Sequence, residues 1–249
     1  MQRFDDKTVM ITGAASGIGR ATALRLASEG GKIFAVDVQE VELQESIELI
    51  QAAGGQAMAS LCNVTSETDV SDCMQSCIDA FGKIDVLCNI AGILRFDHFH
   101  ELDYAAWKQV IDVNLNGVFL MCRAAIPHLL ERNGNIVNAA STAAMAGLPW
   151  GSVYSASKGA VLALTRTLAI EYAKQGLRAN CVSPGDIATP MTKAPKLPED
   201  ADWKMMARCS AINGPMGPEV IAGVIAMLAS DDGVHINGEN VRVDGATLS

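Results

Sequence analysis

The sequence has little basic charge. It contains 19 lysine and arginine residues against 28 aspartate and glutamate residues, which gives a net charge of −9 at pH 7. A protein that binds duplex nucleic acid needs a basic surface, and a helix that lies on a membrane usually presents a cationic face. We therefore expect neither a nucleic acid nor a membrane as a partner.

Targeting segments and paired cysteines are also missing. The first residues, MQRFDDK, contain no apolar core of a secretory signal, and residues 220–229 are an apolar stretch too short to cross a bilayer. The seven cysteines form no C-x-x-C pair and have no histidine at ligand spacing, while His98 and His100 lie in a polar loop. These features predict a cytoplasmic protein with reduced, buried thiols and no metal site.

What the sequence does contain is one repeated pattern. Hydrophobic residues make up 49% of the chain, enough for a sizeable core. Longer helical patterns, notably at 104–130 and 154–174, alternate with short β-branched runs at 8–12, 32–37, 57–64, 84–89, 135–140, 178–182 and 240–243. This alternation predicts an α/β fold: a single doubly wound Rossmann domain over residues 1–249, with a seven-stranded parallel sheet flanked by helices on both faces.

One segment lacks this periodicity. Residues 185–213 follow the carboxyl end of the sixth strand, the edge where open α/β sheets bind ligands. They carry apolar side chains such as Met191, Ala194, Leu197 and Trp203. We expect this segment to be a substrate lid over an apolar pocket.

A glycine-rich turn directly follows the first strand. Residues 12–19 read TGAASGIG, in which Gly13 allows a sharp turn, Gly17 a close approach to a pyrophosphate, and Gly19 close helix packing. The spacing differs from G-x-G-x-x-G, but the strand and helix on either side support dinucleotide binding. Asp37 ends the second strand, where a carboxylate can accept the ribose hydroxyls and repels a 2′-phosphate. The pattern therefore favours NAD over NADP.

A tyrosine and a lysine lie four residues apart at the start of a helix. Tyr154 and Lys158 thus share one helix face, and an ammonium beside a phenol is expected to lower the phenol pKa. Ser141 ends an apolar strand shortly before them, and Asn114 interrupts an apolar helical run, where its amide needs partners. Together these four residues are far more specific than any one of them, and they indicate general acid/base chemistry on an alcohol.

These motifs, in this order, resemble the classical short-chain dehydrogenase/reductase family over nearly the whole chain. They are TGxxxGIG at residues 12–19, NxAG at 89–92, the helix Asn114, Ser141, YxxxK at 154–158, Pro184-Gly185, and Val243-Asp244-Gly245. The resemblance implies a Rossmann fold with sheet order 3-2-1-4-5-6-7, a small-molecule substrate, and a homotetramer or homodimer.

The resemblance also assigns roles to individual residues. Tyr154 would be the catalytic base, Ser141 would bind the substrate oxygen, Lys158 would bind the nicotinamide ribose, and Asn114 would hold a relay water. Asn89 and Gly92 would line the adenine-side ribose, Val64 would border the adenine, and Ile187 and Thr189 would contact the carboxamide. The full cofactor-binding set comprises Gly13, Ser16, Gly17, Ile18, Gly19, Asp37, Asn63, Val64, Asn89, Ala91, Gly92, Tyr154, Lys158, Pro184, Gly185, Ile187 and Thr189.

The sequence departs from the family pattern in two places. Asn63 stands where the family commonly has aspartate, which weakens a hydrogen bond from adenine. Residues 214–219 are short and lack an arginine, which leaves the packing of the lid on the last helix open.

Three functions remain possible at this stage. The leading one is an NAD-dependent secondary alcohol dehydrogenase or ketone reductase. A 3-oxoacyl-(acyl-carrier-protein) reductase generally uses NADPH, which Asp37 disfavours. A non-catalytic dinucleotide-binding regulator typically lacks the tyrosine or the lysine, and both are present here.

Overall fold

A seven-stranded parallel sheet forms the centre of the computed structural model, which describes residues 2–193 and 195–249. The order β3-β2-β1-β4-β5-β6-β7 matches the expected one, so the Rossmann-like α/β fold is confirmed. The strands are β1 Thr8–Thr12, β2 Lys32–Asp37, β3 Gln56–Leu61, β4 Val86–Asn89, β5 Asn135–Ala139, β6 Arg178–Pro184 and β7 Asn240–Val243.

Helices cover both faces of the sheet because side chains of a strand alternate between them. In β1, Val9 and Ile11 pack in the core cluster under one face, and Met10 packs under the other. The first face carries α1 Gly17–Ser28, α2 Glu40–Ala52 and α9 Glu219–Ala229. The second face carries α3 Glu67–Phe81, α5 Gly117–Leu130 and α6 Ser152–Glu171, while the shorter helices are α4 Tyr104–Ile111, α7 Pro190–Lys193 and α8 Trp203–Met206.

The predicted helix over 104–130 is not continuous. A π-helical turn, Asp112–Asn116, separates α4 from α5, and such turns often occur at functional sites. The whole run Tyr104–Leu130 is long and apolar enough to cross a membrane. From the sequence, only residues 220–229 were considered as a membrane-spanning candidate, and this longer run was not. About half of it is buried inside the protein, as in the core helix of many folds without a membrane.

The strands before β4 are added on one side of β1, and those from β4 onward on its other side. This change in strand order leaves a crevice between the carboxyl ends of β1 and β4. Strand β3 ends at Leu61, earlier than predicted, so Asn63 and Val64 lie in the turn that borders this crevice. Helix α6 begins at Ser152, which places Tyr154 in its first turn. The sheet thereby brings the predicted motifs to one edge.

The lid region contains two short helices, α7 and α8, and is connected to the domain by an isolated parallel bridge between Ile187 and Met216. The Ala188 N–H donates to the Met216 carbonyl oxygen at 2.8 Å. This bridge packs residues 214–219 against the start of the lid, so the arginine that the family has in this region is not needed for the contact. Ala194 lies outside the described residues.

Candidate active site

A cleft of about 390 Å³ opens at the carboxyl ends of the first four strands. Most of the predicted cofactor-binding residues line it, together with residues that the motifs did not indicate, such as Gln109 and Val113. The predicted residues in its wall are Gly13, Ser16, Gly17, Ile18, Gly19, Asp37, Asn63, Val64, Ala91, Gly92 and Thr189.

The glycine turn is packed too tightly for any other residue at two positions. Gly13 has a φ of +72°, and a Cβ there would lie 2.8 Å from the Ala91 nitrogen. A Cβ on Gly19 would overlap the carbonyl oxygen of Gly13. The turn therefore brings the first N–H groups of α1 directly to the cleft wall, where an anion can approach them.

Asp37 is fixed by the backbone around it. Its Oδ2 accepts a hydrogen bond from the Ala15 N–H at 3.0 Å, and its Oδ1 accepts from the N–H groups of Val38 at 2.7 Å and Gln39 at 3.1 Å. A carboxylate offers about four acceptor positions, so about one remains on Oδ2 for a ligand hydroxyl. The carboxylate is thus oriented before any ligand binds.

Arg20, the cation nearest to the glycine turn in the sequence, is directed away from Asp37. Its Nε donates to Ser46 Oγ at 2.8 Å, and its Nη2 donates to the Glu42 carbonyl oxygen at 2.7 Å and to Glu45 Oε2 at 3.0 Å. These bonds hold the guanidinium on α2. Arg20 is consequently not available to a phosphate beside Asp37.

A turn and α5 shape the side of the cleft where the sequence predicts the adenine. The Asn63 Oδ1 accepts from both the N–H and the hydroxyl of Thr65, at 3.1 and 2.9 Å. Val64 is buried against Gly117, where a Cβ would lie 2.7 Å from Val64 Cγ2. The Asn63 side-chain oxygen therefore stabilises the turn that follows β3, a role that the sequence pattern did not indicate.

Lys158 is buried and points toward the cleft. Its Nζ donates to the Ala139 carbonyl oxygen at 2.7 Å and lies 5.8 Å from the centre of the Tyr154 ring. A Cβ added to Gly92 would be 3.5 Å from this Nζ. The Lys158 ammonium group thus lies close to the end of β5, the start of α6 and the cleft wall.

Burial dominates the protonation of both groups. It raises the pKa of Tyr154 above its usual value, and a hydrogen bond with Ser141 opposes this effect. It lowers the pKa of Lys158 to about 8. Burial and Ser141, rather than Lys158, therefore set the phenol pKa in this structure, and the spacing of Tyr154 and Lys158 in the sequence does not report how deeply they are buried.

Asn114 lies in the π-helical turn and is fully buried. Its Oδ1 accepts from the Ile93 N–H at 2.8 Å, and its Nδ2 donates to the Ile93 carbonyl oxygen at 2.9 Å and to Ser157 Oγ at 3.1 Å. Both amide protons are thus used by the protein. The side chain connects α6 to the loop after β4, and only its oxygen has a further lone pair for a water.

Several predicted residues do not line this cleft. The Asn89 side chain turns into the core, where it donates to Asn138 Oδ1 at 2.8 Å and Cys122 Sγ at 3.3 Å. It holds β4 to β5 through these bonds, and Asn89 is absent from the cleft lining. The others outside the lining are Tyr154, Lys158, Pro184, Gly185 and Ile187.

Comparison with known proteins agrees with this geometry. A family model described as enoyl-(acyl carrier protein) reductase matches residues 13–246. A 3-oxoacyl-[acyl-carrier-protein] reductase of Thermotoga maritima is 38% identical over 251 residues, covering 99% of each chain. This chain belongs to the classical short-chain dehydrogenase/reductase family. It is an oxidoreductase of that family.

Other members of the family act on different alcohols. A cyclohexanol dehydrogenase of Acinetobacter sp. is 38% identical over 249 residues, which cover 99% of this chain and 97% of that protein. The crystal structure of a carveol dehydrogenase from Mycobacterium avium in complex with NAD superposes with a TM-score of 0.91 at 25% identity, over 100% and 99% of the two chains. Family membership alone does not select among these substrates.

The structure also shows how the cysteines and possible metal ligands are placed. Six of the seven cysteines are buried and all are free thiols, while Cys209 is partly exposed. Over residues 2–193 and 195–249, no group of three histidine, cysteine or acidic side chains could hold a metal ion.

Proposed function

We propose that this protein is an NAD(H)-dependent oxidoreductase that interconverts a secondary alcohol and a ketone. The fixed carboxylate of Asp37 in the cleft wall is the observation that carries the choice of cofactor. It can accept a ribose hydroxyl and repels a 2′-phosphate, and Arg20 is held away by α2. The test compares kcat/KM for NADH and NADPH; equal values would refute the assignment.

The cleft fits the dinucleotide. The first turn of α1 would hold the pyrophosphate, Asp37 the adenosine ribose, and Val64 the adenine, while Lys158 would bind the second ribose. When bound, the nicotinamide supplies the hydride acceptor or donor for the carbinol carbon.

The proton is assigned to Tyr154. Its phenolate would accept the alcohol proton during oxidation, and the phenol would return it during reduction. Ser141 Oγ would hold the substrate oxygen, and its hydrogen bond with Tyr154 would favour the phenolate. Because burial raises the pKa of Tyr154, oxidation should increase with pH, until Lys158 loses its charge above a pKa of about 8 and binds the ribose less well.

A second candidate is reduction of 3-oxoacyl thioesters on a carrier protein. The Thermotoga relative favours it, being 38% identical over nearly the whole chain. Asp37 argues against it, because that reaction generally uses NADPH. Assays of NADH oxidation with an acetoacetyl thioester and with a panel of apolar ketones distinguish the two. Binding of NADH without turnover of any substrate would favour a regulator instead.

We also propose that the protein assembles into a homodimer or homotetramer. Helix α6 packs one side on the sheet, and its other side leaves Ala163, Thr167 and Ile170 exposed, the last by 80%. Exposed small and apolar residues in a stripe favour burial against a second copy. Light scattering that shows only a 26.2 kDa monomer at micromolar concentration would contradict this proposal.

A further inference from the structure

Residues 195–210 form the outer part of the lid and are held to the rest of the described chain by one hydrogen bond. Asp200 Oδ1 lies 2.7 Å from His98 Nε2. The other hydrogen bonds of residues 195–210 remain within the segment, for example Ala201 N to Pro198 O at 3.0 Å. Among the hydrogen bonds of the described residues, this side-chain pair alone attaches the segment to the domain.

His98 lies on the loop that follows β4. The same loop contacts the turn before Tyr154, because the Asp97 N–H donates to the Trp150 carbonyl oxygen at 2.9 Å. Its beginning is fixed by Asn114 through Ile93. The pair with Asp200 thus joins the lid to a loop that is already fixed to the catalytic residues.

We propose that His98 and Asp200 are positioning residues that latch the lid over the substrate, without touching the reacting atoms. The expected effect of this pair on substrate turnover rests on the proposed function. The contact between lid and loop can be tested separately, by an experiment that does not measure enzyme activity. A segment with so few contacts opens locally, so losing the pair should increase the open population. Exposed ion pairs shift such equilibria by about two- to five-fold.

The latch should depend on pH. Asp200 and, to a lesser degree, Glu101 raise the pKa of His98 above its ordinary value. A raised histidine pKa means that the full attraction is present below about pH 6.5 and is lost as pH rises through the higher pKa. The other charged groups on the two segments are Arg95, Asp97, His100 and Asp103 on the loop and Lys196, Glu199, Asp202, Lys204 and Arg208 on the lid.

The first experiment is limited trypsin digestion of the whole protein, following cleavage after Lys196, Lys204 or Arg208. Asp200 is 76% exposed at its side chain, so Asp200→Ala should fold normally. We expect cleavage about two- to five-fold faster than in the wild type at pH 6. The matched control is Glu199→Ala, which removes an exposed carboxylate next to Asp200 on the same segment that makes no side-chain hydrogen bond with another described residue. Equal rates for the wild type and Asp200→Ala would overturn the latch.

The pH dependence gives a second readout. The ratio of cleavage rates between Asp200→Ala and the wild type should fall between pH 6 and pH 9, since His98 loses its charge. His98→Lys keeps a cation throughout, so its cleavage should change less over this range than that of the wild type. A ratio that does not change with pH would show that the pair is not held by the histidine charge.

The role in positioning is tested by kinetics. Asp200→Ala should raise KM for the ketone about two- to five-fold, with kcat and the KM for NADH within error of the wild type. Faster cleavage without a change in KM would show that the lid does not position the substrate. If no alcohol or ketone is turned over by the wild type, the proposed function fails, while the digestion result stands separately.

Discussion

The glycine turn and the outer lid lie at the same edge of the sheet, yet different interactions hold them. Gly13 and Gly19 pack against backbone atoms of Ala91 and Gly13 with no space for a methyl group. Residues 195–210 depend instead on the exposed pair of His98 and Asp200. The glycine turn, the backbone half of the site, is thus built from backbone atoms, whereas the outer lid, the other half, is held by side chains that can change independently of the fold.

This difference explains how one family can keep a dinucleotide site while its members act on different alcohols. The backbone half requires the same few residues wherever a dinucleotide binds, whereas the lid is under no comparable constraint. Between them lie Tyr154 and Lys158, on a helix whose start is fixed by Asn114 through Ser157. Each of the following predictions changes one of these regions and leaves the others intact.

The largest effect is expected for Tyr154→Phe. The change keeps the ring and its packing but removes the proton acceptor, so kcat should fall by about 10²–10⁴-fold. Binding of NADH, measured by fluorescence titration, should remain close to that of the wild type. Tyr172→Phe at the end of the same helix is the control and should keep full activity. Turnover by Tyr154→Phe within tenfold of the wild type would rule out the mechanism.

Gly19→Ala tests the backbone half. The added methyl group would overlap the Gly13 carbonyl oxygen, and the turn must shift to relieve this contact. Overpacking of this kind costs about 1–3 kcal/mol, so we expect NADH affinity to fall about 10–100-fold. Gly223→Ala in α9 is the control, because its nearest neighbour is Arg25 Nη1 at 3.6 Å, and it should bind NADH normally. Unchanged affinity in Gly19→Ala would mean that the turn is less rigid than its packing indicates.

A change of cofactor preference tests the wall beside the turn. Replacing Asp37 with serine and Val38 with arginine removes the repulsion of a 2′-phosphate and supplies a cation. A charged hydrogen bond contributes about 1.5–3 kcal/mol, so the ratio of kcat/KM for NADPH to NADH should rise by about 10–100-fold. Asp37→Ser alone should change the ratio less. A ratio that stays constant in the double variant would show that residues other than Asp37 and Val38 determine the cofactor preference.

The sequence predicted the backbone half well because its determinants are local. The turn at residues 12–19 and Asp37 each depend on a strand end and on the type of residue there. The sheet order followed from the resemblance, and the comparisons confirm the family. The ribose role of Asn89 stays a prediction, and its bond to Asn138 on the neighbouring strand is a contact that the sequence pattern did not indicate.

The other half depends on contacts between residues far apart in the sequence. The π-helical turn at Asp112–Asn116 interrupts an otherwise regular apolar pattern, and only the buried Asn114 indicated it. The pKa of Tyr154 follows from burial, which no spacing reports. His98 and Asp200 are 102 residues apart, and nothing in either segment predicted their contact.

The smallest effect is expected far from the cleft, where an ion network stabilises the sheet that both halves share. Glu29 accepts hydrogen bonds from Arg3 Nη2 at 2.8 Å and from Arg25, and these guanidinium groups lower its pKa to about 2. A lowered carboxyl pKa stabilises the folded state above the unfolded value of about 4.3, and this contribution disappears as pH falls through the folded value.

Glu29→Gln should therefore lower the free energy of unfolding by about 1–2 kcal/mol at pH 7, measured by urea denaturation, because the carboxylate is largely buried but its partners reach solvent. The difference from the wild type should shrink as pH falls from about 4 through 2, because the wild-type carboxyl group becomes neutral below its folded pKa of about 2. KM for NADH and for the ketone should not change at pH 7, since neither half of the cleft contacts this network. A loss of NADH affinity without a loss of stability would instead show that this ion network affects the glycine turn through α1.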